Sequence, residues 1–268
     1  MNLSIKVRHL VLDAIKKYGR GHIGSAFSIV EILIVLYFDF LNIDSKNPRH
    51  ISRDRFILSK GHGCLSLYSV LYLKKFISKK DLLSFCEPNS ILGGHPEYGK
   101  INGIEATTGS LGHGLPIGVG MALALKRKKL FDSKVVVILG DGELGEGSIW
   151  ESFLMASKHN LNNLIIIIDY NKYQSYSKIS EVSSLEPLKS KLQSFNLIVH
   201  EIDGHKIQKI KATLKKLKNN KNTKYPNIII AHTIKGKGLK QAENNLDWHH
   251  KSGLNEKIIN SLKKEIII

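Results

Sequence analysis

The sequence predicts an α/β fold, a doubly wound parallel sheet with helices on both faces. Three observations carry that expectation. The runs VVVIL (135–139) and LIIII (164–168) are apolar without alternation, as strands covered on both faces must be. Between them lie a Gly-rich turn and a segment, 143–160, with Ile149, Phe153, Leu154 and Ala156 at helical spacing. LIVHEID (197–203), a helix over 205–218 with Ile207, Ile210, Leu214 and Leu217 on one face, and NIIIAHT (227–233) repeat the alternation, and successive units of this kind build a parallel sheet.

The first 130 residues are mostly helical by periodicity. Residues 3–17 bring Leu3, Val7, Leu10, Val11, Ala14 and Ile15 to one face, and 29–40 is apolar nearly all round, which predicts burial. A short strand, RFILS (55–59), precedes a helix over 65–76. Gly-dense loops punctuate this half: GRGHIGS (19–25), SKGHG (59–63), LGGHPEYG (92–99) and TTGSLGHG (107–114). Asn196, between a helix end and a strand, is expected in the left-handed region that Asn tolerates. No internal repeat and no Pro/Ser linker divides the chain, so residues 1–268 are read as one domain.

Composition excludes several classes. At 42% hydrophobic and 24% charged residues the chain can bury a core, so disorder is excluded. The stretch 29–40 is interrupted by Glu31 and Asp39 and falls short of the roughly 20 residues a membrane span needs. Residues 1–20 show no leader pattern, and a cytoplasmic location is expected. Cys64 and Cys86 are too few for a disulfide framework and lack metal-ligand spacing. The formal charge of +17, 40 Lys and Arg against 23 Asp and Glu, is spread over KKYGR, KRKK (126–129) and the lysine-rich stretch 206–224 without interleaved aromatics. It reads as a solvated basic surface, with no nucleic acid and no membrane as partner.

The chemistry concentrates in GDGELGEGSIWE (140–151) and DYNKYQ (169–174). Asp141 closes one predicted strand and Asn171 the next, thirty positions on, and in a parallel sheet those two ends are neighbours. Gly140 and Gly142 permit a sharp turn and close approach of a ligand. The helix expected directly after Gly142 would aim free N–H groups at the same spot. A carboxylate, an amide oxygen and nearby carbonyls suit Mg²⁺, which keeps positions open for phosphate oxygens. The pattern predicts a metal–diphosphate site.

These residues resemble the thiamin-diphosphate-binding motif, and the chain as a whole resembles the transketolase family. The supporting segments are GHIGSAFSIVEIL (21–33), LSKGHG (58–63), GGHP (93–96), TTGSLGHG, GDGELGEGSIWE, DGH (203–205) and IKGKG with DWHH (234–250), in family order. The resemblance implies a thiamin diphosphate-binding fold of the diphosphate-domain type, with Mg²⁺, for which Ca²⁺ or Mn²⁺ can substitute. It implies metal ligation by Asp141, Asn171 and the main-chain carbonyl of Tyr173, and a diphosphate hydrogen bond from Gly142. Gly109, Ser110 and Leu111 would line the thiamin rings. His62 and His249 would lie near the diphosphate and reactive centre, and His22, His62, His95 and His249 would surround the donor sugar as catalytic groups. Ser25 and Lys235 match further positions at the coenzyme. Glu146 and Glu151 match acidic residues buried at a contact between active sites. The coenzyme would act as electron sink while imidazoles move hydroxyl protons.

The resemblance covers the N-terminal third of a full-length transketolase. The glutamate that activates the aminopyrimidine belongs to a further domain, and the chain ends at Ile268 without it. The expectation is therefore the N-terminal subunit of a split transketolase, inactive alone, paired in an α₂β₂ assembly with a C-terminal transketolase subunit. Its substrates would be sugar phosphates, and its reaction transfer of a two-carbon ketol unit in the pentose phosphate pathway. The rival readings are a non-catalytic remnant and a 1-deoxyxylulose-5-phosphate synthase-like subunit. SYSKIS (175–180) lacks the Gly and Pro common in relatives.

Overall fold

The computed structural model describes residues 2–219 and 223–266, so residues 220–222 of the lysine-rich stretch lie outside the described residues. In chain order the helices and strands are α1 (Leu3–Ala14), α2 (Ile23–Phe27), α3 (Val30–Val35), β1 (Arg55–Leu58), α4 (Cys64–Leu73), α5 (Lys79–Leu83), α6 (Gly114–Arg127) and β2 (Val135–Gly140). They continue with α7 (Gly147–Lys158), β3 (Leu164–Tyr170), α8 (Ile179–Val182), α9 (Leu188–Ser194), β4 (Ile198–Asp203), α10 (Ile207–Asn219), β5 (Asn227–His232) and α11 (Glu256–Glu265).

All five strands are parallel in the order β1-β2-β3-β5-β4, as the apolar runs predict. Side chains alternate between faces with period two. Val136, Ile138, Ile165, Ile167 and Ile229 pack with α1–α4 and α10. Val135, Val137, Leu139, Ile166, Ile168 and Ile230 pack with α6, α7 and α9. Each fully buried Ile or Val removed from water contributes about 1.5–3 kcal/mol, which fixes the register of the three central strands.

That register sets the site. Gly140 is paired with Asp169, Asp169 with Ala231, and Leu58 with Ile138. The loops leaving β1, β2, β3 and β5 therefore emerge side by side at the carboxyl edge of the sheet.

Several elements differ from the sequence expectation. The first helix stops at Ala14 rather than 17, and the chain then turns through Gly19 at φ +72°. The apolar stretch 29–40 is buried, but only Val30–Val35 is α-helical, and Leu36–Phe40 widens into a π-helical turn. The helix over 65–76 ends at Leu73, and that over 205–218 runs Ile207–Asn219. Immediately after Gly142 there is no α-helix: a 3₁₀ turn, Gly142–Gly145, intervenes and α7 starts at Gly147. The helix N-terminus expected to face the diphosphate is thus displaced one turn along the chain. Asn196 has φ +60°, as expected.

Candidate active site

Four loop residues, Lys60 after β1, Asp141 after β2, Asn171 after β3 and Lys235 after β5, border one cavity of about 120 Å³. Ser25, His62, Leu111, Gly142, Tyr173 and His249 complete that lining among the residues singled out from sequence. His22 and His95 line an adjoining cavity of about 270 Å³, and His62 borders both. Ser110 is exposed and lines neither, while Gly109 lies behind His95. At φ +139° Gly109 is in a backbone region closed to other residues, and a Cβ there would meet the His95 ring at 2.9 Å.

Asp169 is the hub beneath the first cavity. It is fully buried and accepts hydrogen bonds from the Lys60 ammonium, Ser28 Oγ at 2.6 Å, Asn171 Nδ2 at 3.1 Å and Thr233 Oγ1. Burial alone would raise its pKa, but the Lys60 charge and these donors hold the carboxyl below its ordinary value. Because Asn171 spends its NH₂ on Asp169, its Oδ1 is turned the other way and accepts from the Tyr173 N–H at 3.0 Å.

Asp141 is buried, and among the described residues its carboxylate accepts only from the N–H groups of Gly142 and Lys172. Burial, and then the neighbouring charge of Asp169, push its pKa up to about 7. Lys235 is buried too, and donates to the carbonyls of Gln174 at 2.8 Å and Tyr173 at 3.2 Å. Burial, and then the charge of Lys60, bring its pKa down to about 8.

This donor set fits a hard divalent cation. Asp141 supplies a carboxylate whose ionised form is short of compensating charge, Asn171 an amide oxygen held in orientation, and Tyr173 a carbonyl, all around one cavity. Among the described residues no cluster of three His, Cys, Asp or Glu could hold a metal, so any cation here relies on this mixed oxygen set. A diphosphate fits as well: the Lys235 side chain borders the cavity, Lys60 lies beside it with its ammonium on Asp169, Ser25 O and Ser28 Oγ, and a Cβ at Gly142 would press on Gln174 at 3.1 Å. The N–H of Gly142 itself is directed at the Asp141 carboxylate, at 2.8 Å.

The imidazoles form one cluster. The His22 ring centroid lies 5.8 Å from His62, 6.2 Å from His95, 5.3 Å from His249 and 4.7 Å from His250. Burial lowers all four predicted catalytic histidines and nearby cationic groups add to it in three of them, which together set His22 at about 4 and His249 at about 3. They are neutral at physiological pH, and Nδ1 of His249 is buried with no hydrogen-bond partner among the described residues.

Sequence reasoning missed Lys60, Glu143 and Asp169. Glu143 is buried and accepts from Ser59 Oγ, Gly112 N at 2.9 Å and Gly140 N at 3.2 Å, tying the turn after β2 to the 107–114 loop. The available signal was a charge inside a motif next to an apolar run, SKGHG for Lys60 and LIIIID for Asp169. SYSKIS closes without Gly or Pro, because Gln174 N bonds to Ser177 O and Ile179 N to Lys172 O, both at 3.0 Å. Glu146 and Glu151 are exposed on this chain.

A parallel sheet whose carboxyl edge gathers a buried carboxylate, an oriented amide, two lysines and neutral histidines defines a diphosphate-coenzyme-binding domain. Residues 2–267 match the family model described as "Transketolase, thiamine diphosphate binding domain", and the chain belongs to the transketolase family. It is 40% identical over 247 residues to an apulose-4-phosphate transketolase subunit of Phocaeicola vulgatus, covering 92% of this chain and 86% of that one. Identity to the 6-deoxy-6-sulfo-D-fructose transketolase subunit SqwG of a Clostridium species is also 40%, covering 91% and 88%. The transketolase structure from Campylobacter jejuni superposes with a TM-score of 0.89 at 32% identity, covering 99% of this chain and 43% of that one. The chain therefore spans less than half of the full-length transketolase and nearly all of the two subunits. No described helix is long and apolar enough to cross a membrane.

Proposed function

We propose that the chain is the coenzyme-binding N-terminal subunit of a split transketolase, one domain over residues 1–268 that works in an α₂β₂ assembly with a separately encoded C-terminal subunit. The observation that carries this reading is the convergence of Asp141, Asn171 and Tyr173, from the ends of two adjacent strands, on the cavity that Lys60 and Lys235 also line. Asp141, Asn171 and the Tyr173 carbonyl hold Mg²⁺, and Gly142, Lys235, Ser25, His62 and His249 hold the diphosphate end. Gly109, Ser110 and Leu111 support the rings. Thiamin diphosphate supplies the electron sink for cleavage of a ketose carbon–carbon bond.

The chain's own side chains do the rest. His22, His62, His95 and His249 present neutral imidazoles, which can accept a hydroxyl proton from a polyhydroxylated sugar and return it to the product. After burial, the charges of Lys60 and Lys235 depress His62 and His249, and a diphosphate bound beside these lysines would relieve that part of the depression. The larger cavity, walled by His22, His62 and His95, is the space for the sugar.

The substrate is a ketose phosphate or a ketose with another terminal anion. Two relatives are named for apulose 4-phosphate and 6-deoxy-6-sulfofructose, so the donor need not belong to the pentose phosphate pathway. The test is reconstitution with the C-terminal subunit, thiamin diphosphate and Mg²⁺, assayed with xylulose 5-phosphate, apulose 4-phosphate and 6-deoxy-6-sulfofructose against an aldose phosphate. Ketol transfer by the complex and none by the chain alone is the expected result. Turnover by the isolated chain, or a coenzyme-loaded complex inert toward every donor, overturns the reading.

A further inference from the structure

The loop that carries Lys235 has no regular secondary structure of its own. It turns through Gly236 at φ +80° and Gly238 at φ +92°, and it is held by the Arg8 and His205 side chains, the Gly24 carbonyl and Glu243 Oε1. Ile234 N donates to Nε2 of His205 at 2.8 Å, and Nε of Arg8 donates to the Lys237 carbonyl at 2.7 Å. Both side chains meet on Glu31. Its Oε1 takes Arg8 Nη1 at 2.7 Å, and its Oε2 takes Arg8 Nη2 at 3.1 Å and His205 Nδ1 at 3.0 Å. A main-chain N–H can only donate, so Nε2 of His205 is the acceptor and Nδ1 carries the proton given to Glu31.

Every N–H of Arg8 is used, since Nη1 also reaches Ser4 O at 3.4 Å and Nη2 reaches Phe27 O at 3.2 Å. Arg8 and Glu31 are 0% and 1% exposed, so no solvent competes for these bonds. The three residues lie in α1, α3 and the β4–α10 turn and line neither cavity of the site. Lys235 sits one residue from Ile234 and two from Lys237, between the two anchors. Its ammonium reaches the Tyr173 and Gln174 carbonyls only while that backbone is held.

We propose that Glu31, with Arg8 and His205, is a positioning clamp for the coenzyme site, fixing the 234–238 loop so that Lys235 stays at the border of the coenzyme cavity. This rests on the site reading above and adds residues that touch neither coenzyme nor sugar. The test compares His205→Leu, which removes donor and acceptor, with His205→Gln, which keeps an acceptor within reach of Ile234. Amide hydrogen exchange of the coenzyme-free chain is read at 234–238 and in β2 and β3, and thiamin diphosphate affinity with Mg²⁺ is read on the complex with the C-terminal subunit.

The expected result for His205→Leu is exchange at 234–238 at least tenfold faster, unchanged exchange in β2 and β3, and a tenfold weaker coenzyme Kd, with His205→Gln restoring most of both. Unchanged exchange at 234–238, faster exchange without loss of affinity, or a Gln variant as impaired as the Leu variant overturns the clamp. Should His205→Leu fail to fold, His205→Asn, which keeps the donor to Glu31 but not the distal acceptor, takes its place with the same criteria. A wild-type complex that binds no coenzyme overturns the site reading instead, and the exchange result then decides the clamp.

Discussion

Two buried polar clusters lie on either side of the 234–238 loop, and they are built to opposite rules. Around Arg8, Glu31 and His205 every guanidinium N–H has an acceptor and both carboxylate oxygens have donors. Around Asp141, Lys235 and the histidines burial biases each group toward its neutral form. Asp141 is raised to about 7, Lys235 lowered to about 8 and His22 to about 4, and His249 keeps an orphaned Nδ1. A saturated cluster fixes backbone; an unsaturated one is stable only because the surrounding fold holds it, and it is where a ligand gains most by binding.

The largest effects should fall on opposite observables in the two clusters. Arg8→Met leaves Glu31 buried with His205 as its remaining side-chain partner and should cost about 3–5 kcal/mol in denaturant unfolding. Asp141→Ala removes a buried carboxylate that repels Asp169, so the coenzyme-free chain should be no less stable. Its coenzyme affinity in the complex should instead fall by more than the roughly 10–100-fold typical of an outer-shell partner. If Asp141→Ala destabilised the free chain while coenzyme binding survived, the division between the clusters would be wrong.

Acid titration separates them next. His22 and His249 are depressed from 6.5 to about 4 and about 3, so the unfolded chain takes up their protons first. Their contribution is full above pH 6.5 and is lost as pH falls toward 4 for His22 and toward 3 for His249. Glu31 behaves differently: burial would raise it, but hydrogen bonds from His205 and Arg8 prevail and set it at about 2, from 4.5. Its contribution persists above pH 4.5 and is lost only as pH falls toward 2. Asp141, raised from 3.8 to about 7, works the other way, so the titration is made on an Asp141→Asn background, where thermal midpoints recorded from pH 7 to 2 should fall in two overlapping stages. A His22→Asn, His249→Asn double variant should flatten the upper stage alone, and an unaltered upper slope would refute the assignment.

Much of this architecture was legible because the determining residues are local. Gly140 and Asp169 pair because two uninterrupted apolar runs must lie side by side, and that placed Asp141 near Asn171 before any coordinates. Helix α6 was not legible: Gly114, Pro116, Gly118 and Gly120 argue against a helix on propensity. Tertiary packing overrides them. Pro116 lies in the first turn, where its missing N–H costs nothing, and a Cβ at Gly118 would strike Val137 Cγ2 at 2.6 Å. Lys60, Glu143 and Asp169 stayed hidden for the converse reason, since a charge in a sequence reads as solvent-facing until its partner is known. Lys60 and Asp169 are 109 positions apart.

The smallest effect tests whether an orphaned polar atom signals a site by itself. Among the described residues the hydroxyl of Tyr37 is buried without a partner, like Nδ1 of His249, yet Tyr37 lines a crevice of about 10 Å³ beside Arg53 and Glu105 and a groove of about 610 Å³ beside Asp54 and Lys218, and neither active-site cavity. Removing an unsatisfied hydroxyl relieves a desolvation cost of roughly 1 kcal/mol, so Tyr37→Phe should leave stability unchanged or raise it by up to about that amount. Coenzyme affinity and turnover of the complex should not move. His249→Phe should be similarly mild in unfolding but should abolish most turnover, because His249 lines the cavity that Asp141, Asn171 and Lys235 also line. Equal loss of turnover in both variants would mean that unsatisfied burial, and not convergence with those oxygens and cations, is what marks function in this chain.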